Sequence, residues 1–367
     1  MGNITKLFVK LSSFFWLLKP VAKLYGLVTD GRNWLFDNQL KQSITPAIQT
    51  ICVGNLTVGG TGKTPMIEFL IERYAVYGPA DTYQTVTLSR GYGRRTRGFR
   101  MATSTDTAAT IGDEPLQLFR KYGNRVRVTV GERRAGAIQV IEQQYPETRL
   151  ILLDDAFQHR AVRANITLLL SDYNRPFYAD SPFPAGLLRE TRQGAARADA
   201  VVVTKCPADL SVTDQRLISN EIYRYARPGV PIFFATLRYE NPVAFASAPT
   251  HQERPDPELK AVVLVSGLAN ADPLEAYVGQ QFTLLNHHRF ADHYAYSRAD
   301  LDRIVSTLPN GAAVLTTEKD WVKLDALLTP AERQTWSLYY LPIAMQPLPN
   351  CADELNRFLQ RATLKKT

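Results

Sequence analysis

The residues with the clearest chemical purpose in this 367-residue chain are a lysine and a threonine that close a glycine-rich run. Residues 54–65 read G-N-L-T-V-G-G-T-G-K-T-P. Glycines let backbone N–H groups turn inward around a polyphosphate, and a helix opening at Lys63 would aim the positive end of its dipole at the same point. The general form G-x-x-x-x-G-K-[ST] is met except at its first glycine, where Thr57 stands. The variant K-G-G-x-G-K-T is complete from Gly59 to Thr64, with Val58 replacing the leading lysine. Thr57, Val58, Gly59, Gly60, Thr61, Gly62, Lys63 and Thr64 are therefore expected to enclose a nucleoside triphosphate. Lys63 would reach the β- and γ-phosphates, and the Thr64 hydroxyl would ligate Mg²⁺. Guanine readers on such loops carry [NT]-K-x-D after a late strand. Here Val203–Pro207 places proline where that aspartate belongs, which argues against GTP.

Two acids end the apolar run Ile151–Asp155. A carboxylate at such a strand end can hold Mg²⁺ directly or through water, beside Thr64. Adjacent strand residues point to opposite faces, so Asp154 and Asp155 are expected to differ in role. A second pair, Asp113 and Glu114, opens a helix-like stretch ending at Tyr122, a place where acids serve as caps. His293 stands in R-F-A-D-H-Y, and His159 follows the strand-end acids in F-Q-H-R. Taken alone, a single histidine is more often a packing residue than a reactive one.

Positioning these groups requires a scaffold, and the pattern supplies one. Apolar β-rich runs at Ile48–Val53, Thr85–Leu88, Leu150–Leu153, Ile166–Leu170, Ala200–Thr204 and Ile232–Ala235 alternate with helical stretches. Near-continuous apolar strands imply burial on both faces, hence a mainly parallel sheet with helices on each side. Thr64–Tyr74 puts Ile67, Leu70, Ile71 and Tyr74 on one helical stripe. Further strands at Ala261–Val265, Ala312–Thr316 and Leu338–Leu341 suggest a smaller α/β unit. The expected division is an N-terminal helical segment (1–43), a phosphate-loop core (44–238), a proline-rich linker (239–259) and a C-terminal α/β domain (260–367).

Residues 4–28 are rich in Leu, Phe and Trp but broken by Lys6, Lys10, Lys19 and Lys23. The longest uncharged run, Leu11–Leu18, is far below the roughly 20 apolar residues that span a bilayer. Interleaved lysines and aromatics suit an amphipathic helix lying in a lipid interface. The net charge of +8 fits an anionic partner. No aromatic-interleaved nucleic-acid module accompanies it, so nucleic acid is not expected, nor is an obligate protein partner. Cys52, Cys206 and Cys351 form no C-x-x-C pair, which points to a reducing compartment.

An ordered set of segments resembles one family, the tetraacyldisaccharide 4′-kinases of lipid A biosynthesis. The segments are Val53–Pro65, Leu88–Arg95, Gly112–Pro115, Asp154–His159, Pro184–Glu190, Phe290–Tyr294 and Thr317–Asp320, joined near the start by Leu24–Leu27 and Arg32–Leu35. One departure is Ala156, where the family usually has glycine. The resemblance implies ATP and Mg²⁺, and phosphoryl transfer to the 4′-hydroxyl of an acylated glucosamine disaccharide 1-phosphate. The implied location is the cytoplasmic face of the bacterial inner membrane, with the site between two domains. A sugar hydroxyl needs an acceptor for its proton. With the resemblance, Asp113 takes that role, His293 becomes its dyad partner, and Glu114 joins Thr64 and a strand-end aspartate around Mg²⁺. The basic loop holding Arg90, Arg94 and Arg95, together with His159 and Arg189, becomes the candidate hold on the substrate phosphate. The competing expectation is a membrane-cycling switch ATPase, which needs neither a base nor a histidine from a second domain.

Overall fold

The computed structural model describes residues 18–75, 84–246 and 259–364. A helix, α1 (Lys19–Asp37), leads into the core. The part of the expected interfacial segment before Leu18 lies outside the described residues.

Nine strands form the large sheet. In chain order they are β1 (Gln49–Asn55), β2 (Thr85–Ser89), β3 (Arg100–Met101), β4 (Arg127–Val130), β5 (Leu150–Asp154), β6 (Ile166–Asp172), β7 (Ala200–Thr204), β8 (Ile232–Tyr239) and, from near the end of the chain, β14 (Ile343–Pro347). Their spatial order is β14-β8-β7-β6-β1-β5-β2-β4-β3, with only β3 and β14 antiparallel to their neighbours. Every residue of β2, β5 and β7 is buried, as the unbroken apolar runs require of a sheet covered on both faces. β1 lies at the centre between β5 and β6, and Val53 pairs with Asp154. The glycine-rich loop and the paired aspartates therefore leave the sheet side by side at its carboxyl edge, where ligands of open α/β sheets bind.

Helix α2 (Lys63–Tyr74) follows the loop and buries Met66, Ile67, Leu70 and Ile71. Each such side chain, fully removed from water, contributes roughly 1.5–3 kcal/mol of transfer free energy. Tyr74, expected on the same stripe, is half-buried at its edge. The short α3 (Ala108–Ile111) and α4 (Asp113–Tyr122) meet at Gly112. Helix α5 (Arg134–Gln144) joins β4 to β5, and α6 (Val212–Tyr223) joins β7 to β8.

The smaller sheet has the order β11-β10-β12-β13-β9. Its strands are β9 (Val243–Ala244), β10 (Ala261–Ser266), β11 (Thr283–Arg289), β12 (Ala312–Thr317) and β13 (Leu338–Leu341), interleaved with α7 (Asp272–Gln281), α8 (Arg298–Ser306), α9 (Glu318–Asp325) and α10 (Pro330–Thr335).

The expected division of the chain needs two adjustments. β9 falls inside the stretch read as a linker and pairs with β13; residues 247–258 lie outside the described residues. The stretch read as one C-terminal domain also sends its last segments home. β14 pairs along β8 from Ile343 to Pro347, and α11 (Pro349–Leu364) packs on both strands. The two units are thus crossed twice by the chain.

Candidate active site

The phosphate-binding loop is shaped by what anchors it. Asn55 Nδ2 donates to Thr61 Oγ1 at 2.7 Å, Thr204 Oγ1 to the Thr61 carbonyl at 2.9 Å, and Lys205 Nζ to the Gly60 carbonyl at 2.5 Å. Gly62 enters α2 with φ +81°, a conformation that side-chain-bearing residues rarely adopt, and turns Lys63 inward. Two of the residues expected to face phosphate do other work. Thr57 bridges to Leu188, and the Val58 amide donates to the Leu187 carbonyl at 2.8 Å. That backbone is committed to the loop at Leu187 and Leu188, so the cradle runs from Gly59 to Thr64.

The two acids do differ in role, but not through strand alternation: β5 ends at Asp154, and Asp155 begins the turn that follows. Asp155 has φ +48° and faces two cations: Arg189 at 2.8 and 2.9 Å, and Lys63 Nζ at 3.8 Å. Burial raises its pKa, but Lys63 and Arg189 outweigh burial and hold it below the usual carboxylate range. Asp154 is 2% exposed, and its Oδ1 has no hydrogen-bond partner. Burial first, then the charges of Glu114 and Asp155, push its pKa up to about 7. An unpartnered, deeply buried carboxylate oxygen next to Glu114 is suited to a hard divalent cation. Among the described residues no three His, Cys, Asp or Glu side chains converge to enclose a metal by themselves. Mg²⁺ needs no such cage, since it takes one or two carboxylates and fills the rest of its shell with water and phosphate. Thr64, Glu114 and Asp154 fit that requirement. Asp155 does not, because its two oxygens are already held by Arg189.

Asp113 and Glu114 open α4, and Gly112 before them has φ +95°. A Cβ there would lie 2.9 Å from the Tyr92 carbonyl, so only glycine lets α4 start against the 90–95 loop. Across the cleft, His293 Nδ1 lies 3.1 Å from Asp113 Oδ2. The two residues are 180 positions apart and come from different units. Tyr92, 70% exposed, stands with its ring 5.4 Å from the His293 ring.

The arginines expected to hold a substrate phosphate separate into free and committed ones. Arg90 and Arg95 are exposed beside the cleft. Arg94 is not available: it bonds Glu132 and the Gly98 carbonyl, both at 2.6 Å, and closes its own loop. Arg189 is likewise engaged by Asp155. His159 is half-buried, and burial, with Arg134 and Arg90 nearby, pushes its pKa down to about 4. It is therefore neutral near pH 7, a hydrogen-bonding group and not a cation.

Several contributors were not singled out from the sequence. Arg134, 2% exposed, donates to the Gly131 and Asp154 carbonyls and braces the end of β5. Lys319 and Lys323 reach the Asp113–His293 pair from α9. The segment Thr317–Asp320 was the available signal for Lys319, because it already stood among the resembling segments; Lys323 lies beyond that segment and no sequence signal pointed to it.

Comparison with known proteins follows the same lines. The profile of the tetraacyldisaccharide-1-P 4′-kinase family matches residues 14–362. A tetraacyldisaccharide 4′-kinase of Cytophaga hutchinsonii is 39% identical over 94% of this chain and 98% of its own length. One of Bacteroides fragilis is 38% identical over 93% of this chain and 91% of its own length. The crystal structure of LpxK from Aquifex aeolicus in complex with ATP shares the fold, with a TM-score of 0.73 and 24% identity, covering 95% of this chain and 99% of that one. Coverage of this extent, from α1 to α11, places the chain in the tetraacyldisaccharide-1-phosphate 4′-kinase family.

Proposed function

We propose that this chain transfers the γ-phosphoryl group of ATP to the 4′-hydroxyl of an acylated glucosamine disaccharide 1-phosphate, with Asp113 accepting the hydroxyl proton. The observation that carries the assignment of roles is the 3.1 Å approach of His293 to Asp113 across the cleft. A switch ATPase has no use for a carboxylate presented there by one unit and oriented by the other.

The 4′-oxygen forms a bond to the γ-phosphorus, the bond to the β-bridging oxygen breaks, ADP leaves, and the hydroxyl proton passes to Asp113. Lys63 and the amides from Gly59 onward hold the phosphates, while Thr64, Glu114 and Asp154 would hold Mg²⁺. When bound, Mg²⁺ neutralises charge on the β- and γ-phosphate oxygens. Arg189 and Lys63 keep Asp155 ionised at the loop's base. Arg90 and Arg95 are the free cations for the substrate's 1-phosphate. We place the reaction at a membrane surface: the outward face of α1 exposes Leu24, Leu27, Val28 and Trp34, as a helix lying in lipid would. Among the described residues no helix is long and apolar enough to cross a membrane.

The test is a transfer assay with γ-labelled ATP, Mg²⁺ and the tetraacyldisaccharide 1-phosphate in detergent micelles. Labelled lipid is expected, absent with Lys63→Ala and reduced at least a hundredfold with Asp113→Asn, whose ATP affinity stays unchanged. Free labelled phosphate with no labelled lipid, from protein that binds ATP, would overturn the assignment.

A further inference from the structure

We infer that Lys319 is a positioning residue that fixes the tautomer of His293, so that Nδ1 carries the proton and presents it to Asp113. This rests on reading Asp113 and His293 as the acid–base pair.

The inference follows from donor and acceptor inventories. Lys319 Nζ lies 2.7 Å from Asp292 Oδ1 and 3.3 Å from His293 Nε2. An ammonium has three donors and no acceptor, so the Nε2 that faces it offers a lone pair. The proton of the neutral ring then sits on Nδ1, which is 3.1 Å from Asp113 Oδ2. The other tautomer would set an N–H against an ammonium and a lone pair against a carboxylate. Both contacts would be repulsive.

The same ammonium also supports the backbone. His293 has φ +57°, the left-handed region that a residue with a Cβ rarely adopts. Its amide donates to Asp292 Oδ1 at 3.0 Å, the oxygen that Lys319 also holds. Ring orientation and backbone turn are thus tied to one side chain.

Lys319 lies in the first turn of α9. Thr317 caps that turn, with the Asp320 amide donating to Thr317 Oγ1 at 3.1 Å. Asp320, fully buried, accepts from the Gly267 amide at 2.8 Å and faces Lys323 Nζ at 3.1 Å. Lys323 in turn lies 3.5 Å from Asp113 Oδ2. One helical turn of the second unit therefore brings a cation to each member of the pair. His293 Nδ1 and Lys323 Nζ both approach Asp113 through Oδ2, which leaves Oδ1 for the sugar hydroxyl.

The decisive measurement is nitrogen NMR of the full-length chain labelled with ¹⁵N-histidine, with His293→Gln assigning the signal. The two nitrogens of a neutral imidazole resonate far apart according to which bears the proton. Wild type is expected to show His293 protonated on Nδ1; protonation on Nε2 overturns the inference with no variant needed. Lys319→Met is expected to shift the ring toward Nε2–H and to lower kcat roughly tenfold or more at unchanged ATP affinity. Lys319→Arg, also donor-only, is expected to restore both. An unaltered tautomer in Lys319→Met overturns the inference, as does unaltered turnover in a variant whose tautomer has shifted. Full turnover of Asp113→Asn would instead remove the acid–base reading while leaving the tautomer result standing, so the two failures are distinguishable.

Discussion

At the scale of the residue, Asp154 and Asp155 show how one backbone step separates two chemistries. Asp155 turns toward cations and stays ionised, whereas Asp154 turns into the protein beside Glu114 and loses its charge readily. The consequence for stability has a definite sign. Between the ordinary aspartate value and about 7, the folded chain holds a proton on Asp154 that the unfolded chain has released. Stability from this group is complete below the unfolded value and is lost as pH rises toward 7. Without divalent cations, the melting temperature of the wild type is expected to fall as pH rises from about 4 to about 7. Asp154→Asn should flatten that fall, though not abolish it, because Glu318 is pushed up to about 7 in the same direction by burial and by Glu68. Parallel melting curves for wild type and Asp154→Asn, measured by calorimetry across that range, would show that Asp154 carries no such linkage.

Among the elements, three helices meet at one buried ion cluster. Lys121 of α4 lies 2.5 Å from Glu68 of α2 and 2.6 Å from Glu318 of α9, and Gln117 donates to Glu68 at 2.9 Å. Burial opposes the lysine's charge, but the two glutamates outweigh burial and hold its pKa above the ordinary value. The Ile343 amide, where the chain crosses back to the first unit, donates to Glu318 at 3.2 Å. These helices carry Lys63, Asp113 and Lys319, so the cluster sets their separation. Lys121→Met would leave two carboxylates buried and facing each other, a loss of about 3–5 kcal/mol. Adding Glu68→Gln and Glu318→Gln should recover much of it, because removing a buried charge set entire costs far less than breaking it. Urea unfolding of the two variants checks this, and equal midpoints would refute the coupling. Such a cluster was not legible beforehand: Glu68, Lys121 and Glu318 have no sequence relation, and only the packing of three helices joins them. The central strands were legible, since Leu150–Asp154 and Ala200–Thr204 have no polar interruption. The edge strands β11 and β14 were not, because T-L-L-N-H-H-R and I-A-M-Q-P need bury only part of their length and show no apolar run. Chemistry was legible where local spacing imposes it, in Gly59–Thr64 and Ile151–Asp155. It was hidden where partners came from the other unit without a motif to mark them, as with Lys323 against Asp113.

On the scale of the whole molecule, α1 joins the site to the surface. Its inner stripe, Ala22, Gly26, Asn33 and Phe36, is buried at the helical repeat. Through that stripe Tyr25 donates to the Arg189 carbonyl at 2.9 Å, Asn33 to Glu190 at 2.7 Å, and Thr191 to Asp30 at 2.6 Å. Arg189 is the residue that grips Asp155, so the inner face of α1 is one residue removed from the phosphate-binding apparatus. The outer face carries Val21, Leu24, Leu27, Val28 and Trp34, each more than half exposed. Apolar surface of this kind on a helix whose flanks bear Lys19, Lys23 and Arg32 gains free energy by burial at an anionic lipid interface. An acylated substrate kept in such a layer would then reach the cleft from the side on which α1 lies. Leu24→Glu with Val28→Glu, in the full chain, is expected to weaken co-sedimentation with anionic phospholipid vesicles several-fold while ATP affinity stays unchanged. Raising the salt concentration should weaken the wild type further, since screening removes the contribution of the flanking lysines and arginine. Vesicle binding that is the same for the double variant and the wild type at every salt concentration would exclude the outer face of α1 as the docking surface.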